Sequence, residues 1–386
     1  MKGDAEFYLY ANDKTTFFVN GQLVLDALRS QSDSFDLGPA GSYVGIALKE
    51  AWLDYTSDHW AVRVGRQISS WGKADIIPVT NVICPSNYSS FNIFSLTDSL
   101  LGVDAARFSL KNDVYSLDFY WVPIVRASAI PTDKNHFVQK ILYDSKELFG
   151  MQLAKTKTPE PKIENFEYGL KASAYWKYAD VSLYAFYGYD KLPGSFELSW
   201  GDLVGRARRM TMFGADASIP LGDIVLRLEG AFFPDSAMPI VPGSVDMKEF
   251  VRNGFEHDFG YKERNRLKML AGLDWMPGGW ILSAQYYGDL VFGDIEDLGR
   301  ANYIHIATLA VSKNFFKDTL SLSLAALVQF EEWNNAFVLK ADFKASDSLT
   351  FSAALYCVNI FDDFEFDTFN EFRNWGGATV GAKYSF

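Results

Sequence analysis

Apolar and polar residues alternate with a period of two along most of this chain, in segments of about 9–13 residues. Val181-Ser182-Leu183-Tyr184-Ala185-Phe186-Tyr187 is one such run, and Leu320-Ser321-Leu322-Ser323-Leu324 and Leu349-Thr350-Phe351-Ser352-Ala353 are others. Successive side chains of a β-strand point to opposite faces, so each segment reads as a strand with one apolar and one polar face. The spacing predicts strands at 15–28, 42–56, 59–69, 102–111, 114–123, 165–178, 181–188 and 206–219. Further strands are predicted at 223–233, 264–276, 279–290, 301–312, 317–329, 335–344, 348–358 and 374–386. That is about sixteen, an even number with a tolerance of two (14–18), as single-chain membrane barrels usually have.

The connections alternate in length as well. Short turns fall near 57–58, 112–113, 179–180, 220–222, 277–278 and 345–347, and longer connections at 71–101, 124–164, 189–205, 234–263, 291–300 and 359–373. Short periplasmic turns and long external loops are the asymmetry of an outer-membrane barrel. Placing two-residue turns at Ser57-Asp58, Asn112-Asp113 and Ala179-Asp180 pairs Leu53 with Val62, Phe108 with Leu117 and Trp176 with Leu183. In each hairpin the apolar residues then share one face. Residues 15–386 are therefore expected to form one transmembrane, antiparallel, up-and-down β-barrel domain. Residues 1–14 are either a periplasmic N-terminal segment, or the strand count is off by one.

Composition fits this reading and excludes others. Hydrophobic residues are 48% and aromatic residues 16% of the chain, yet mean hydropathy is -0.05. A membrane barrel needs only every second residue apolar, whereas a spanning helix needs about 20 in a row, and none exists here. Rings flank short turns, as in Tyr55 with Trp60, Trp176 with Tyr178 and Trp275 with Trp280, where an interfacial girdle belongs. The net charge of -12 without any basic run argues against a nucleic-acid partner. Cys84 and Cys357 form no metal motif or disulfide framework. Residues 1–10 lack the pattern of a signal peptide, so an exported chain is expected in its mature form.

The run Val62-Arg63-Val64-Gly65-Arg66-Gln67, followed by Trp71-Gly72-Lys73, resembles a strand element of several outer-membrane barrel groups. These are the phosphate- and pyrophosphate-selective porins, the alginate exporter family, and an uncharacterised proteobacterial barrel family with a GRQxxxWG signature. Leu48-Lys49-Glu50-Ala51-Trp52-Leu53-Asp54 is similar to the LREAY-type strand those groups carry. The resemblance covers residues 42–90 and implies a barrel channel of the bacterial outer membrane. The terminal strand, with Val380, Ala382, Tyr384 and Phe386 on one face, looks like the signal read by barrel assembly machinery.

Alternation also lists what faces the lumen. Charged candidates are Glu50, Asp54, Arg63, Arg107, Asp118, Arg227, Glu229, Arg264, Arg266, Lys268, Lys340, Asp342 and Lys383, with Asp274 and Asp289 among further acids. A charge facing lipid at mid-membrane costs roughly 2–4 kcal/mol, so these residues line water or pair with one another. Two readings stand: wall-bracing networks, or a polar conduit whose selectivity is set at its narrowest ring. Lumen-side rings are Phe18, Tyr120, Tyr184, Phe186, Tyr287, Tyr356 and Trp375. The apolar loop after residue 70 is expected to fold inward as a constriction, with Trp71, Lys73 and Phe91 as candidates. Loop 124–164 carries an apolar pattern at 137–151 that suits a short amphipathic helix. No catalytic, cofactor or metal motif is present; Glu256-His257-Asp258 reads as a solvated loop. The expected activity is passage or selective transport of small solutes, with no chemical step. The alternatives are a transporter of hydrophobic or lipid-like compounds, or a plugged structural or adhesive barrel acting through its loops. Expected partners are outer-membrane lipids such as lipopolysaccharide, barrel assembly machinery, small solutes and, in a homo-oligomer, further copies of the chain.

Overall fold

A computed structural model describes residues 2–26, 43–88, 100–130, 153–199, 202–240, 260–298, 300–331, 333–359 and 374–384. Phe91, the 137–151 pattern, Glu256-His257-Asp258 and Phe386 lie outside the described residues.

Twenty strands are present among the described residues. In chain order they are β1 (Lys2–Asn12), β2 (Thr15–Asp26), β3 (Tyr43–Thr56), β4 (Trp60–Gln67), β5 (Val103–Lys111), β6 (Tyr115–Val122) and β7 (Leu153–Lys157). Next come β8 (Glu167–Trp176), β9 (Ala179–Tyr189), β10 (Ser195–Ser199), β11 (Asp202–Arg206), β12 (Arg209–Leu221), β13 (Ile224–Pro239) and β14 (Tyr261–Trp275). The remainder are β15 (Trp280–Val291), β16 (Tyr303–Phe315), β17 (Leu320–Gln329), β18 (Asn335–Lys344), β19 (Leu349–Asn359) and β20 (Asn374–Tyr384). Seventeen of them form one sheet in which each strand pairs antiparallel with the next. The other three, β7, β10 and β11, make a small separate sheet among the long connections. The sheet is rolled into a barrel, because the chain leaving β4 hydrogen-bonds to β13 and β15. A flat sheet would hold those strands far from β4.

All sixteen strands read from the alternation are present in the large sheet, which has one more. Residues 2–12 are not a separate periplasmic segment: they pair with β2 from Lys2↔Val24 to Tyr10↔Thr16. The count is thus one higher than sixteen. The row's ends, β1 and β20, run in the same direction, and no ladder joins them among the described residues.

Hairpin registers differ from the two-residue turns assumed above, always by an even number. Leu53 pairs with Val64 rather than Val62, Phe108 with Phe119 rather than Leu117, and Trp176 with Ala179 rather than Leu183. Local turn chemistry sets the difference. Asn112 Oδ1 accepts from the backbone N–H groups of Val114 (2.9 Å) and Tyr115 (2.7 Å), which draws both residues into the turn. An even slip changes every partner and no face, so apolar still meets apolar.

The outer face carries the apolar residues, and they stay exposed. Val64, Leu183, Phe213, Leu273, Leu339 and Leu355 each keep half or more of their surface accessible. Covering such surface is worth about 25 cal/mol per Å². A continuous belt of this kind is stable only against lipid. Its periplasmic edge is ringed: Tyr55 lies 5.0 Å from Trp60, and the Lys313 ammonium sits 4.6 Å over the Trp280 ring. Among the described residues no helix is long and apolar enough to cross a membrane.

Candidate functional site

The interior is organised by the segment that leaves β4. Its departure begins with Gly65, whose φ of 127° and close approach to the Ala51 carbonyl admit no side chain. Gln67 then donates its amide to the Ala105 carbonyl (3.0 Å), and the Ile68 N–H donates to the Glu50 carboxylate (2.8 Å). These contacts turn the chain off the wall and into the lumen. Trp71 lands in the centre of the buried cluster, 5.0 Å from the Tyr184 ring, 5.6 Å from Tyr120 and 6.5 Å from Phe186. Val79, Ile83 and Cys84 are buried with it. Gly169 on β8 makes room, because a Cβ there would stand 3.0 Å from the indole edge.

Polar contacts fasten the far side of this segment. The Glu229 carboxylate on β13 accepts the N–H groups of Lys73 (2.7 Å), Ala74 (3.0 Å) and Thr80 (2.7 Å), and the Thr80 hydroxyl (2.7 Å). Four donors on one buried carboxylate replace the water it gives up. Gly72 is where the chain bends over it: φ is 87°, and a Cβ would fall 2.2 Å from Glu229 Oε1. Next to it, Asp75 receives Arg227 (2.7 Å), the Gln285 amide (2.8 Å) and the Ser283 hydroxyl (3.0 Å). Tyr184 donates to Asp216 and accepts from the Gly72 N–H (3.2 Å). The inward segment is thus tied to the wall from β6 to β15.

By register the thirteen charged candidates lie on the face opposite the apolar belt, in several separate groups. At the periplasmic end Asp54 bonds Arg63 (2.8 Å) with Arg107 at 3.9 Å, and Arg63 lies 3.8 Å over the Trp52 ring. Asp118 accepts from Ser109. Arg227 and Glu229 belong to the fastening just described, and Arg227 also pairs with Asp274. Nearer the external end, Arg266 pairs with Asp289, while Arg264 donates to the Asp294 carbonyl (2.7 Å). Among the described residues Lys268 meets the Phe233 ring, at 5.2 Å, and no acid. On the opposite wall Lys340 pairs with Asp342 at 2.8 Å, and Lys383 stands across from Thr350. Of the constriction candidates, Trp71 is buried in the cluster and Lys73 contributes its backbone N–H. Tyr384 faces outward at the last described position.

Asp75, Thr80, Ser283, Gln285 and Arg300 were not singled out by pattern. Asp75 and Thr80 sit in an irregular loop, and their partners are some 150–210 positions away in sequence. No spacing rule reports such pairs.

The two halves of the wall differ. Inward residues of β5 to β15 are largely buried beneath the segment, among them Ala105, Tyr120, Tyr184, Met212, Ala231 and Leu270. Inward residues of β17 to β20 such as Ser323, Val338, Lys340, Thr379 and Gly381 are half-buried or exposed, with Ala336 a buried exception. They are mostly small or short polar side chains. Among the described residues, the inward side of this second half is therefore less covered than that of β5 to β15.

The family model described as "Protein of unknown function (DUF1302)" matches residues 42–384. No curated protein matches the sequence. The structure of OccAB3 from Acinetobacter baumannii is similar over 100% of this chain and 92% of its own, with a TM-score of 0.52 and 11% identity. The outer-membrane channel DcaP of Acinetobacter baumannii covers 100% of this chain and 95% of its own, at TM-score 0.44 and 12% identity. An anion-selective porin from Comamonas acidovorans covers 100% of both chains, at TM-score 0.44 and 12% identity. At such identities the likeness to OccAB3 speaks for the barrel fold alone.

Proposed function

The chain belongs to the DUF1302 family, and on that footing we propose that it is an outer-membrane channel that passes small solutes through an eccentric, narrowed lumen. The observation that carries this is the asymmetry of the interior. One half of the wall is sealed by residues 68–85, held by Glu229 and Asp75, and the other half keeps its small inward side chains accessible. A segment latched by buried polar bonds to one side narrows a barrel without filling it. The residues of the Arg63–Gly72 run that resembles other barrel groups are those that launch this segment, which supports a shared inward fold. The lumen selects by width, charge and ring contact, with no chemical step. Tyr384 and Phe386 serve as the assembly signal, and outer-leaflet lipids surround the apolar belt. Self-association into oligomers is part of the same reading.

The test is planar-bilayer recording of the purified, refolded chain. Stable, unitary conductance steps are expected, and Glu229→Ala should enlarge them or add slow fluctuations. Silence across many insertions, with correctly folded protein, overturns the channel reading.

A further inference from the structure

The charges on the external half of β14 do not balance. Register places Lys268 between Ala231 on β13 and Asp289 on β15, with Arg266 two residues away on the same face. Asp289 is already engaged by others. Arg266 Nε donates to it at 2.8 Å and its Nη2 donates to the second oxygen, while Arg300 Nη1 lies 3.4 Å away and Tyr287 Oη 3.5 Å. Arg300 Nη2 also donates to the Asp289 carbonyl at 3.2 Å. Asp190 is a second acid that acts electrostatically on Arg266 and Lys268. Among the described residues, three cations (Arg266, Lys268 and Arg300) therefore face Asp289 and Asp190, and Lys268 Nζ has no hydrogen bond or ion pair. A half-buried ammonium left in this state is costly unless an anion joins it.

The surroundings say what kind of anion. Phe233, Leu270 and Tyr287 are buried around the cluster, and Ile306 packs against them. One missing negative charge beside an apolar wall fits a single carboxylate carried on an apolar body. It does not fit a phosphate dianion, which would overcompensate and meets no second free cation there among the described residues. It does not fit chloride, which gains nothing from the rings. We propose that Lys268, framed by Arg266 and Arg300 and backed by Phe233 and Tyr287, forms a binding site in the lumen for monocarboxylates with an apolar or aromatic body. The proposal rests on the channel reading only for the route by which the solute arrives.

The test uses benzoate and benzamide, which share a shape and differ in charge. Isothermal titration on the folded, detergent-purified barrel should show one benzoate bound per chain and no measurable benzamide binding. Lys268→Met should weaken benzoate by about tenfold or more, the loss of one charge-assisted contact, while Lys268→Arg retains it. Equal binding of benzoate and benzamide, or unchanged affinity in Lys268→Met, overturns the site. Should Lys268→Met fail to fold, Lys268→Gln carries the same comparison, and the benzoate–benzamide contrast needs no variant. Bilayer recording separates the two ideas. Conductance that benzoate neither blocks nor binds defeats the site alone, and benzoate binding to a barrel without conductance defeats the channel alone.

Discussion

Glu229 accepts both the backbone N–H and the hydroxyl of Thr80, each at 2.7 Å, across 149 positions of sequence. With Lys73 and Ala74 donating to the same carboxylate, this one side chain gathers four of the bonds that hold the inward segment to the wall. Replacing it leaves buried N–H groups without an acceptor, at roughly 1–3 kcal/mol. Glu229→Gln, which keeps the shape but loses the charge, is expected to lower the thermal midpoint of heat-modifiable migration in detergent. Glu229→Ala should lower it further. An unchanged midpoint in both would mean that the segment is held by Trp71 and its neighbours alone.

Gly72→Ala attacks the same latch through the backbone. The substitution adds left-handed strain, about 1–2 kcal/mol, and drives a methyl group into Glu229 Oε1. The expected result is a destabilisation at least as large as that of Glu229→Gln, read by the same migration assay. Combining Gly72→Ala with Glu229→Ala should cost less than the sum, because the two changes act on one contact.

Cys84 reports the position of the segment. It is buried beside Ser69, whose N–H donates to its sulfur at 3.2 Å, and burial pushes the thiol up to about 11. At pH 7.5 the group is neutral and covered, so a maleimide should label it slowly or not at all in the folded barrel. Its thiolate fraction grows only as pH rises toward 11. Measured in a Cys357→Ser background, labelling should accelerate in Glu229→Ala. Fast labelling of the otherwise unaltered segment would place it away from the wall.

Ser323 and Leu324 are neighbours on β17 with opposite fates. Leu324 faces outward and pairs with Val311 and Leu339, while Ser323 faces the lumen opposite Ser312 and Lys340. Leu324→Arg should cost roughly 2–4 kcal/mol of folding free energy in bilayers, the toll of a lipid-facing cation. Ser323→Arg should cost under about 1 kcal/mol and shift the reversal potential toward anions. Equal costs at the two positions would contradict the assigned faces.

Which face each residue occupies was legible in the alternation. Alternation sets Leu53, Phe108, Leu183 and Leu324 on one face and Asp54, Arg107, Glu229 and Lys340 on the other, and the strand registers keep these two sets apart. The reason is that a period of two survives any even slip of register, so parity needs no knowledge of the turns. Exact partners needed the turns, as Asn112 and the chain around Trp176 and Ala179 demonstrate. The strand at Lys2–Asn12 escaped because Phe7, Tyr8, Leu9 and Tyr10 are apolar on both faces and carry no alternation to read. What only the tertiary structure decided is the lumen. Whether Asp75 meets Arg227, whether Glu229 gathers Lys73 and Thr80, and whether Lys268 is left without an acid depend on strands brought together by the roll of the sheet. Local sequence sets the faces because adjacent residues set them; the inside of a barrel is set by residues that become neighbours only when the sheet curls.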